Sequence, residues 1–149
     1  MSFSIQLRGA RRAAGLTQAK LARRAGTSQS RLSSYESGII SPNPSTRARL
    51  LRATRRLPSE VVDENRDAII LAAMENGLSN VRVFGSVARL DDTIKSDIDL
   101  LVTPNEETSL TDLSSFLEEV ETLTGFDVDV ISDRAVPPDS EIRRDALAL

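Results

Sequence analysis

The sequence predicts two domains, an all-helical bundle followed by a small α/β domain, and three observations support this division. Residues 1–57 hold 12 of the 19 Lys and Arg residues and a single acid, Glu36, for a net charge of +11. Residues 58–149 hold 7 basic and 21 acidic residues, for a net charge of −14. The apolar pattern also changes near residue 57, from helical spacing alone to helices that alternate with β-prone runs. We therefore assign the bundle to 1–57 and the α/β domain to 58–149.

The composition excludes several kinds of chemistry. The chain has no His and no Cys, which removes disulfides, zinc sites built on these ligands, Ser-His-Asp triads and thiol nucleophiles. Any reaction must then use carboxylates, hydroxyls, Lys or Arg. No apolar run approaches the roughly 18 residues of a membrane span, and residues 1–12 lack the apolar stretch of a secretory signal. We expect a cytoplasmic protein without a membrane partner.

Four short helices are predicted in the basic domain, because turn-forming residues separate apolar stretches of helical length. These turn residues are Gly15, Gly26, Gly38 and the pair Pro42 and Pro44. Thr17 and Ser28 are placed to cap the second and third helices, and Ser45 to start the fourth. The result is a bundle of short helices joined by tight turns.

The second and third helices, over 16–25 and 28–37, form a helix-turn-helix pattern. In the third helix Leu32 and Tyr35 face the core, which leaves a polar face of the width that reads a DNA major groove. The motifs L-T-Q at 16–18, L-A at 21–22, A-G-T-S at 25–28 and Y-E-S-G at 35–38 stand in this order. Together they resemble the Xre-type phage-repressor DNA-binding domain, over about residues 5–55.

This resemblance implies a set of DNA contacts. Gln18 and Ser28 would bind phosphates at helix N-termini, and Gln29, Ser30 and Ser34 would reach base edges. Gln can pair with adenine through two hydrogen bonds, while the surrounding Arg residues attract DNA of any sequence. We expect a homodimer on operator DNA or a hetero-oligomer with a protein partner. The alternative is a helical bundle used only for protein contact or dimerisation.

The acidic domain is predicted to alternate helices and strands. In order, the elements are a helix over 59–76, a strand over 81–84, a short helix after the Gly85-Ser86 turn, a strand over 97–102, a helix over 110–124, a strand over 127–131 and a tail helix from Pro137. Ser59 is the predicted cap of the first helix, and Gly77 its stop. The 110–124 helix is expected to pack through one apolar stripe, made of Leu110, Leu113, Leu117, Val120 and Leu123.

The candidate reaction chemistry lies between the first two of these strands. Gly85 and Ser86 form a tight strand-to-helix turn, where free backbone N–H groups and a hydroxyl can hold a phosphate. Asp97 and Asp99 follow, two residues apart on a strand, so that both carboxylates leave the same face. Such a pair repels itself unless a cation lies between, and Mg²⁺ prefers carboxylate oxygens together with substrate phosphates.

The combination of Gly85-Ser86, ten residues and Asp97-x-Asp99 resembles the minimal nucleotidyltransferases of the polymerase-beta superfamily, over about residues 60–135. The later run Val128-Asp129-Val130 also matches that family. The resemblance implies that Asp97 and Asp99 bind two Mg²⁺ ions, with Asp129 as the third carboxylate. Gly85 and Ser86 would grip the triphosphate of ATP, and Asp129 would help to activate an acceptor hydroxyl.

Other interpretations of these residues stay open. Asp127 leaves the same face of its strand as Asp129, so either residue could be the third carboxylate. The four Asp residues could also be ordinary solvent-facing strand residues, and Gly85-Ser86 merely a turn. Arg82 and Arg89, on either side of that turn, could add phosphate contacts or remain solvated surface residues.

Minimal nucleotidyltransferases of this type resemble the antitoxin of two-gene systems whose toxin is a helical HEPN ribonuclease. In that family the antitoxin transfers AMP from ATP to a tyrosine of the toxin. Such a ribonuclease needs a catalytic His, so this chain is not expected to be the toxin. About 17 residues follow the last predicted strand, too few for a helical domain that holds a small acceptor. We therefore expect the acceptor to come from outside.

Three hypotheses follow for the function. The first is an AMP-transferring antitoxin that also binds operator DNA and represses its own operon. The second is a transcriptional regulator whose nucleotidyltransferase fold is inactive and only docks a toxin or a nucleotide. The third, an antibiotic nucleotidyltransferase, is disfavoured by the short C-terminal segment and by the basic domain.

Overall fold

The computed structural model describes all of residues 1–149, and the chain divides into two compact units, Met1–Arg56 and Leu57–Leu149. The first unit contains four helices, α1 Phe3–Ala13, α2 Gln18–Ala25, α3 Gln29–Glu36 and α4 Pro44–Ala53. The predicted caps are present, since Thr17 accepts a hydrogen bond from the Lys20 N–H and Ser28 from the Arg31 N–H. Each cap satisfies a backbone donor that the helix itself leaves unpaired.

One core holds the four helices of the first unit together. Its fully buried aliphatic side chains come from every helix and are Leu7, Leu21, Leu32 and Leu50. The prediction that Ser45 starts α4 was wrong. Asn43 accepts from the Thr46 N–H and Pro44 occupies the first helical position, where a missing N–H costs nothing.

The second unit is an α/β domain built on a four-stranded mixed sheet. Its elements are α5 Pro58–Glu64, α6 Arg66–Glu75, β1 Leu78–Phe84, α7 Gly85–Arg89, β2 Ile98–Pro104, α8 Leu110–Thr124, β3 Val128–Ser132, a short 3-10 helix Asp133–Ala135, α9 Glu141–Asp145 and β4 Leu147–Ala148. The strand order is β3-β2-β1-β4, with β2 and β3 parallel and the other pairs antiparallel. None of the helices in the chain combines the length and the apolar character needed to cross a bilayer.

The single helix predicted over 59–76 was wrong, because two helices meet at Asn65. The Asn65 side chain donates to the Val61 carbonyl, and a short polar side chain that bonds its own backbone competes with helix continuation. Ser59 is not the cap either. The first helix begins after Leu57, whose N–H donates to Glu60, with Pro58 at the first helical position.

The predicted apolar stripe of α8 was only partly correct. Leu110 at the start of the helix is 83% exposed and Leu123 near its end is 40% exposed. Val120 of the predicted stripe is fully buried, and Leu113 and Leu117 pack against the core as partly buried residues. Phe116, which is outside the predicted stripe, is also fully buried. The tail helix also starts later than Pro137, because Ser140 caps α9 by accepting from the Arg143 N–H. The strand β4 that follows it was not predicted.

The sheet has two differently covered faces. On one face, Val83, Leu100 and Val128 pack against buried residues of α6 and α8 in the larger core. On the other face, Phe84 and Leu101 pack with Val136 beyond β3, next to residues of α9. Because side chains alternate along a strand, Asp99 and Asp129 lie on the face opposite α6 and α8. The predicted acids therefore share the α9 side of the sheet.

Candidate functional site

The Gly85-Ser86 turn approaches the sheet more closely than a side chain would allow. Gly85 opens α7 directly after β1, with φ +67°. A Cβ atom added there would lie far inside van der Waals contact with the Asp99 carboxylate. The half-buried Ser86 follows in the first turn, where backbone N–H groups lack partners within the helix. The turn therefore presents donors beside a carboxylate.

Two predicted acids are neighbours in the sheet. Asp99 on β2 pairs in register with Asp129 on β3 and with Phe84 on β1, so that Asp99 lies between the turn and Asp129. Asp97 stands one residue before β2 and is exposed, as is Asp127 before β3. The structure thus brings Gly85, Asp99 and Asp129 together. Asp97 and Asp127 lie one residue before the first residues of β2 and β3.

The electrostatics of this edge centre on Asp99. Burial, followed by the negative charges of Asp129 and Asp97, raises the pKa of the Asp99 carboxyl above its ordinary value. The positive charge of Arg89 acts in the opposite direction. Like charges gathered around a half-buried carboxylate are the arrangement that a bound cation relieves.

The donor set fits Mg²⁺ in its chemistry, since hard oxygen ligands are supplied by Asp99 and Asp129 with Asp97 nearby. No three acidic side chains of the chain converge closely enough to form a complete metal site by themselves. Mg²⁺ does not need such a cage, because it commonly binds through one or two carboxylates plus substrate phosphates. The close approach of Gly85 to Asp99 places the candidate phosphate-binding turn beside these ligands.

The two Arg residues considered for phosphate contact have different surroundings. Arg82 is largely buried and donates to Asp133, which also accepts from the Thr103 hydroxyl. Burial alone would raise the pKa of Asp133, but these hydrogen bonds and the charges of Arg82 and Arg143 lower it overall. Arg82 is therefore committed to a structural network. Its partners Thr103 and Asp133 lie far apart in sequence, and no local pattern indicates the network.

Arg89 lies close enough to the candidate site for its positive charge to act on Asp99. Its side chain is half exposed and forms ion pairs with Asp91 and, more loosely at 3.8 Å, with Asp145 of α9. Exposed pairs of this kind contribute little to stability. Arg89 lies three residues after Ser86 on α7, so the two side chains face the same side of this helix.

The first unit exposes most of the residues predicted to contact DNA. Ser28, Gln29 and Ser30 are exposed at the start of α3, and Ser34 is half-buried with its hydroxyl donating to the Ser30 carbonyl. Gln18, at the start of α2, donates to Glu36 at 3.0 Å. The structure thus gives Gln18 an internal partner at the helix end where a phosphate contact was predicted.

Glu36, the single acid of the basic domain, joins three helices. Its carboxylate accepts from Arg11 of α1 and Gln18 of α2, and its backbone carbonyl accepts from Arg8. Burial would raise the pKa of Glu36, but the bonds from Arg11 and Gln18 and the charges of Arg11 and Arg8 lower it overall. This buried ion pair fixes the orientation of α3, the candidate DNA-reading helix.

Comparisons with known proteins agree with both domains. A family model described as a helix-turn-helix domain matches residues 2–64, and one described as "Polymerase beta, Nucleotidyltransferase" matches residues 68–144. A relative from Methanocaldococcus jannaschii, described as a candidate protein adenylyltransferase, is 35% identical over 77 residues, which are 52% of this chain and 83% of the relative. A solved structure of a candidate minimal nucleotidyltransferase matches with a TM-score of 0.57 and 35% identity, over 61% of this chain and 95% of that one.

These matches confirm the predicted fold class, a helical helix-turn-helix region followed by an α/β nucleotidyltransferase domain. They also confirm the prediction that the chain is a nucleotidyltransferase. The chain belongs to the polymerase beta family of nucleotidyltransferases and carries a helix-turn-helix domain ahead of its transferase domain.

Proposed function

We propose that the chain transfers AMP from ATP to a tyrosine hydroxyl of a HEPN-type toxin, and that it binds operator DNA to control its own operon. The observation that carries the transferase proposal is the Gly85-Ser86 turn held against Asp99, with Asp129 alongside. The description of the relative as a candidate protein adenylyltransferase supports AMP as the group transferred and a protein as its acceptor.

The chain's own residues have distinct parts in this reaction. Gly85 and Ser86 donate hydrogen bonds to triphosphate oxygens through backbone N–H groups and the Ser86 hydroxyl. Asp97, Asp99 and Asp129 would hold Mg²⁺, which when bound neutralises phosphate charge and favours ionisation of the acceptor hydroxyl. Asp129 accepts the proton of the tyrosine hydroxyl, whose ordinary pKa of about 10 makes this assistance necessary.

The bond changes balance with no further reactant. The tyrosine oxygen forms a bond to the α-phosphorus of ATP, and the bond from that phosphorus to the oxygen bridging toward the β-phosphate breaks. Pyrophosphate leaves with the electron pair, and the hydroxyl proton passes to Asp129. Holding nucleophile and phosphate in line supplies a large part of the acceleration in such transfers.

Mass spectrometry of the partner tests the transferase proposal. The purified chain is incubated with Mg²⁺-ATP and the HEPN-type product of the adjacent gene, and the partner is then weighed. We expect one or more added AMP units, lost in the D97N/D99N double variant. If that variant neutralises the partner equally well without any mass change, the transferase proposal fails.

A second candidate function is a regulator whose transferase domain only docks a toxin or a nucleotide. The observation that favours it is that Asp97 stands exposed and outside β2, so that the sheet holds only Asp99 and Asp129 side by side. Calorimetry of Mg²⁺-ATP binding separates the two, together with the mass assay. Nucleotide binding without any transfer to the partner would favour the docking function.

The DNA-binding part of the proposal rests on the first unit. Ser28, Gln29 and Ser30 stand exposed at the start of α3, within a domain of net charge +11. Such a charge gives strong and salt-dependent attraction to DNA, while polar side chains on a helix face read base edges. We expect a homodimer on DNA, because two reading helices match two half-sites.

A further inference from the structure

A groove of about 600 Å³ runs between α6 and α8, on the outer side of the helix layer. Its apolar lining includes Leu71 of α6 and Leu123 of α8, which are 56% and 40% exposed. The small residues Ala68, Ala72 and Ser115 also line the groove. A large aliphatic side chain left in water on each wall is the feature that a binding partner would cover.

Both walls of this groove carry acids. Glu75 lies on the α6 wall, and Glu118 and Glu119 lie on the α8 wall. Helix α8 contains four acidic residues and no Lys or Arg. Asn76 donates to Glu119 at 3.1 Å and so ties the two walls together at one point. The groove therefore has an apolar centre and a negative rim, a pattern whose complement is an apolar stripe flanked by basic residues.

The shape of the groove favours a helix as the occupant. Two packed helices present a furrow into which the side-chain ridge of a third helix fits. Helix α8 has 15 residues and α6 has 10, so the furrow accommodates about three to four turns. A partner helix would place residues at i, i+3, i+4 and i+7 between Leu71 and Leu123.

We propose that the α6–α8 groove binds an amphipathic helix of a partner protein, with apolar residues in the groove and Lys or Arg residues facing the rim acids. The groove lies on the opposite face of the sheet from Asp99 and Asp129, so a docked helix leaves the candidate active site open. Docking therefore does not depend on AMP transfer, and the two can be tested separately.

A labelled peptide tests this surface directly. The probe is a helical peptide of about 18 residues with a Leu stripe at i, i+3, i+4 and i+7 spacing and Lys on both flanks. A matched peptide carries Glu in place of Lys. Binding of both to the full chain is measured by fluorescence anisotropy, and amide hydrogen exchange locates the protected segments.

The variants are chosen for their exposure. L71E places a charge in the groove, and E118K/E119K reverses the rim. The control E106K/E107K makes the same charge change at exposed acids of the loop between β2 and α8. Circular dichroism confirms that each variant folds.

We expect the Lys peptide to bind and to protect α6 and α8 from exchange, and the Glu peptide not to bind. The L71E and E118K/E119K variants should weaken binding by about tenfold or more, a free-energy loss of about 1.4 kcal/mol, while E106K/E107K and the transfer variant D97N/D99N bind as wild type. Equal weakening by E106K/E107K overturns the proposal, since general acidity would then explain binding. Light scattering that shows a dimer dissociated by L71E also overturns it, in favour of a second copy as occupant.

Discussion

Gly85 is the residue at which backbone conformation and the candidate site meet. Replacing Gly85 with Ala introduces a Cβ where φ is +67° and where the Asp99 carboxylate already lies. The left-handed conformation alone costs about 1–2 kcal/mol, and displacement of Asp99 should lower AMP transfer by about a hundredfold. Transfer assays and thermal melts measure the two effects.

Gly125 provides the matched control for this substitution. Its φ is +74°, and an added Cβ would meet no atom within 4 Å. Gly125→Ala should therefore lose about the same 1–2 kcal/mol of stability and keep its transfer activity. Equal loss of activity in both variants would show that strain in the fold, rather than displacement of Asp99, explains the defect.

Asp99 predicts a pH dependence of stability with a definite sign. Its pKa is raised in the folded chain by burial and by Asp129 and Asp97. The folded state therefore binds more protons between the ordinary Asp pKa of about 3.9 and the raised value, and stability falls as pH rises through that window. Asp99→Asn binds no proton there, so without Mg²⁺ it should be more stable than wild type at neutral pH.

Thermal melts in a chelating buffer check this expectation. The stability advantage of Asp99→Asn should disappear near pH 3. At that pH, Asp99 of the wild type is protonated to about the same extent in the folded and unfolded states. Adding Mg²⁺ should raise the melting temperature of the wild type and not that of the variant, because only the wild type keeps the carboxylate. A variant less stable than wild type at neutral pH without Mg²⁺ would mark Asp99 as a structural acceptor.

At the scale of single elements, the sequence predicts what local contacts decide. The caps at Thr17 and Ser28 depend on backbone groups three residues away, and both are present. The break at Asn65 depends on the hydrogen bond from its side chain to the Val61 carbonyl. This bond competes with continuation of the helix, and the two arrangements differ little in energy. Periodicity likewise predicts that α8 has an apolar face, but only packing on the sheet selects Phe116 over Leu110.

The candidate site shows the same limit. Spacing along the chain predicts the Gly85-Ser86 turn and the acids on the following strands. The register that places Asp99 beside Asp129 is set by the parallel pairing of β2 with β3 across the α8 connection, a long-range contact. The approach of Gly85 to Asp99 follows from that packing and has no separate signal in the sequence.

Helix α3 is the element on which DNA specificity is proposed to depend. Gln29→Ala with Ser34→Ala should relax the preference for operator over unrelated duplex, with about 1–3 kcal/mol of discrimination lost for a bidentate Gln contact. Arg23→Ala, at an exposed position on α2, should weaken binding to every duplex and lower the salt dependence by about one phosphate contact. Fluorescence titrations at several salt concentrations distinguish the two patterns. Equal, salt-independent affinity for all duplexes would contradict DNA reading by α3.

At the scale of the whole molecule, the basic and acidic parts of the chain correspond to its two units, each with its own buried core. Residues 1–57 carry +11 and residues 58–149 carry −14. The two compact units, Met1–Arg56 and Leu57–Leu149, have separate buried clusters, one around Leu7 and Leu50 and the others on the two faces of the sheet. A basic unit suits a polyanion such as DNA, and an acidic one suits bound cations. Each charge thus matches the chemistry proposed for its own unit.

Separate cores predict that the two proposed activities respond independently to mutation. In the full chain, D97N/D99N should abolish AMP transfer and leave operator affinity within about twofold, because substitutions without shared partners add rather than couple. Gln29→Ala with Ser34→Ala should do the reverse. Both properties are measured on each variant, AMP transfer by mass spectrometry and operator binding by fluorescence anisotropy. If D97N/D99N weakens operator binding by tenfold while its melting profile is unchanged, the state of the transferase site governs DNA binding, and the two units act as one regulated switch.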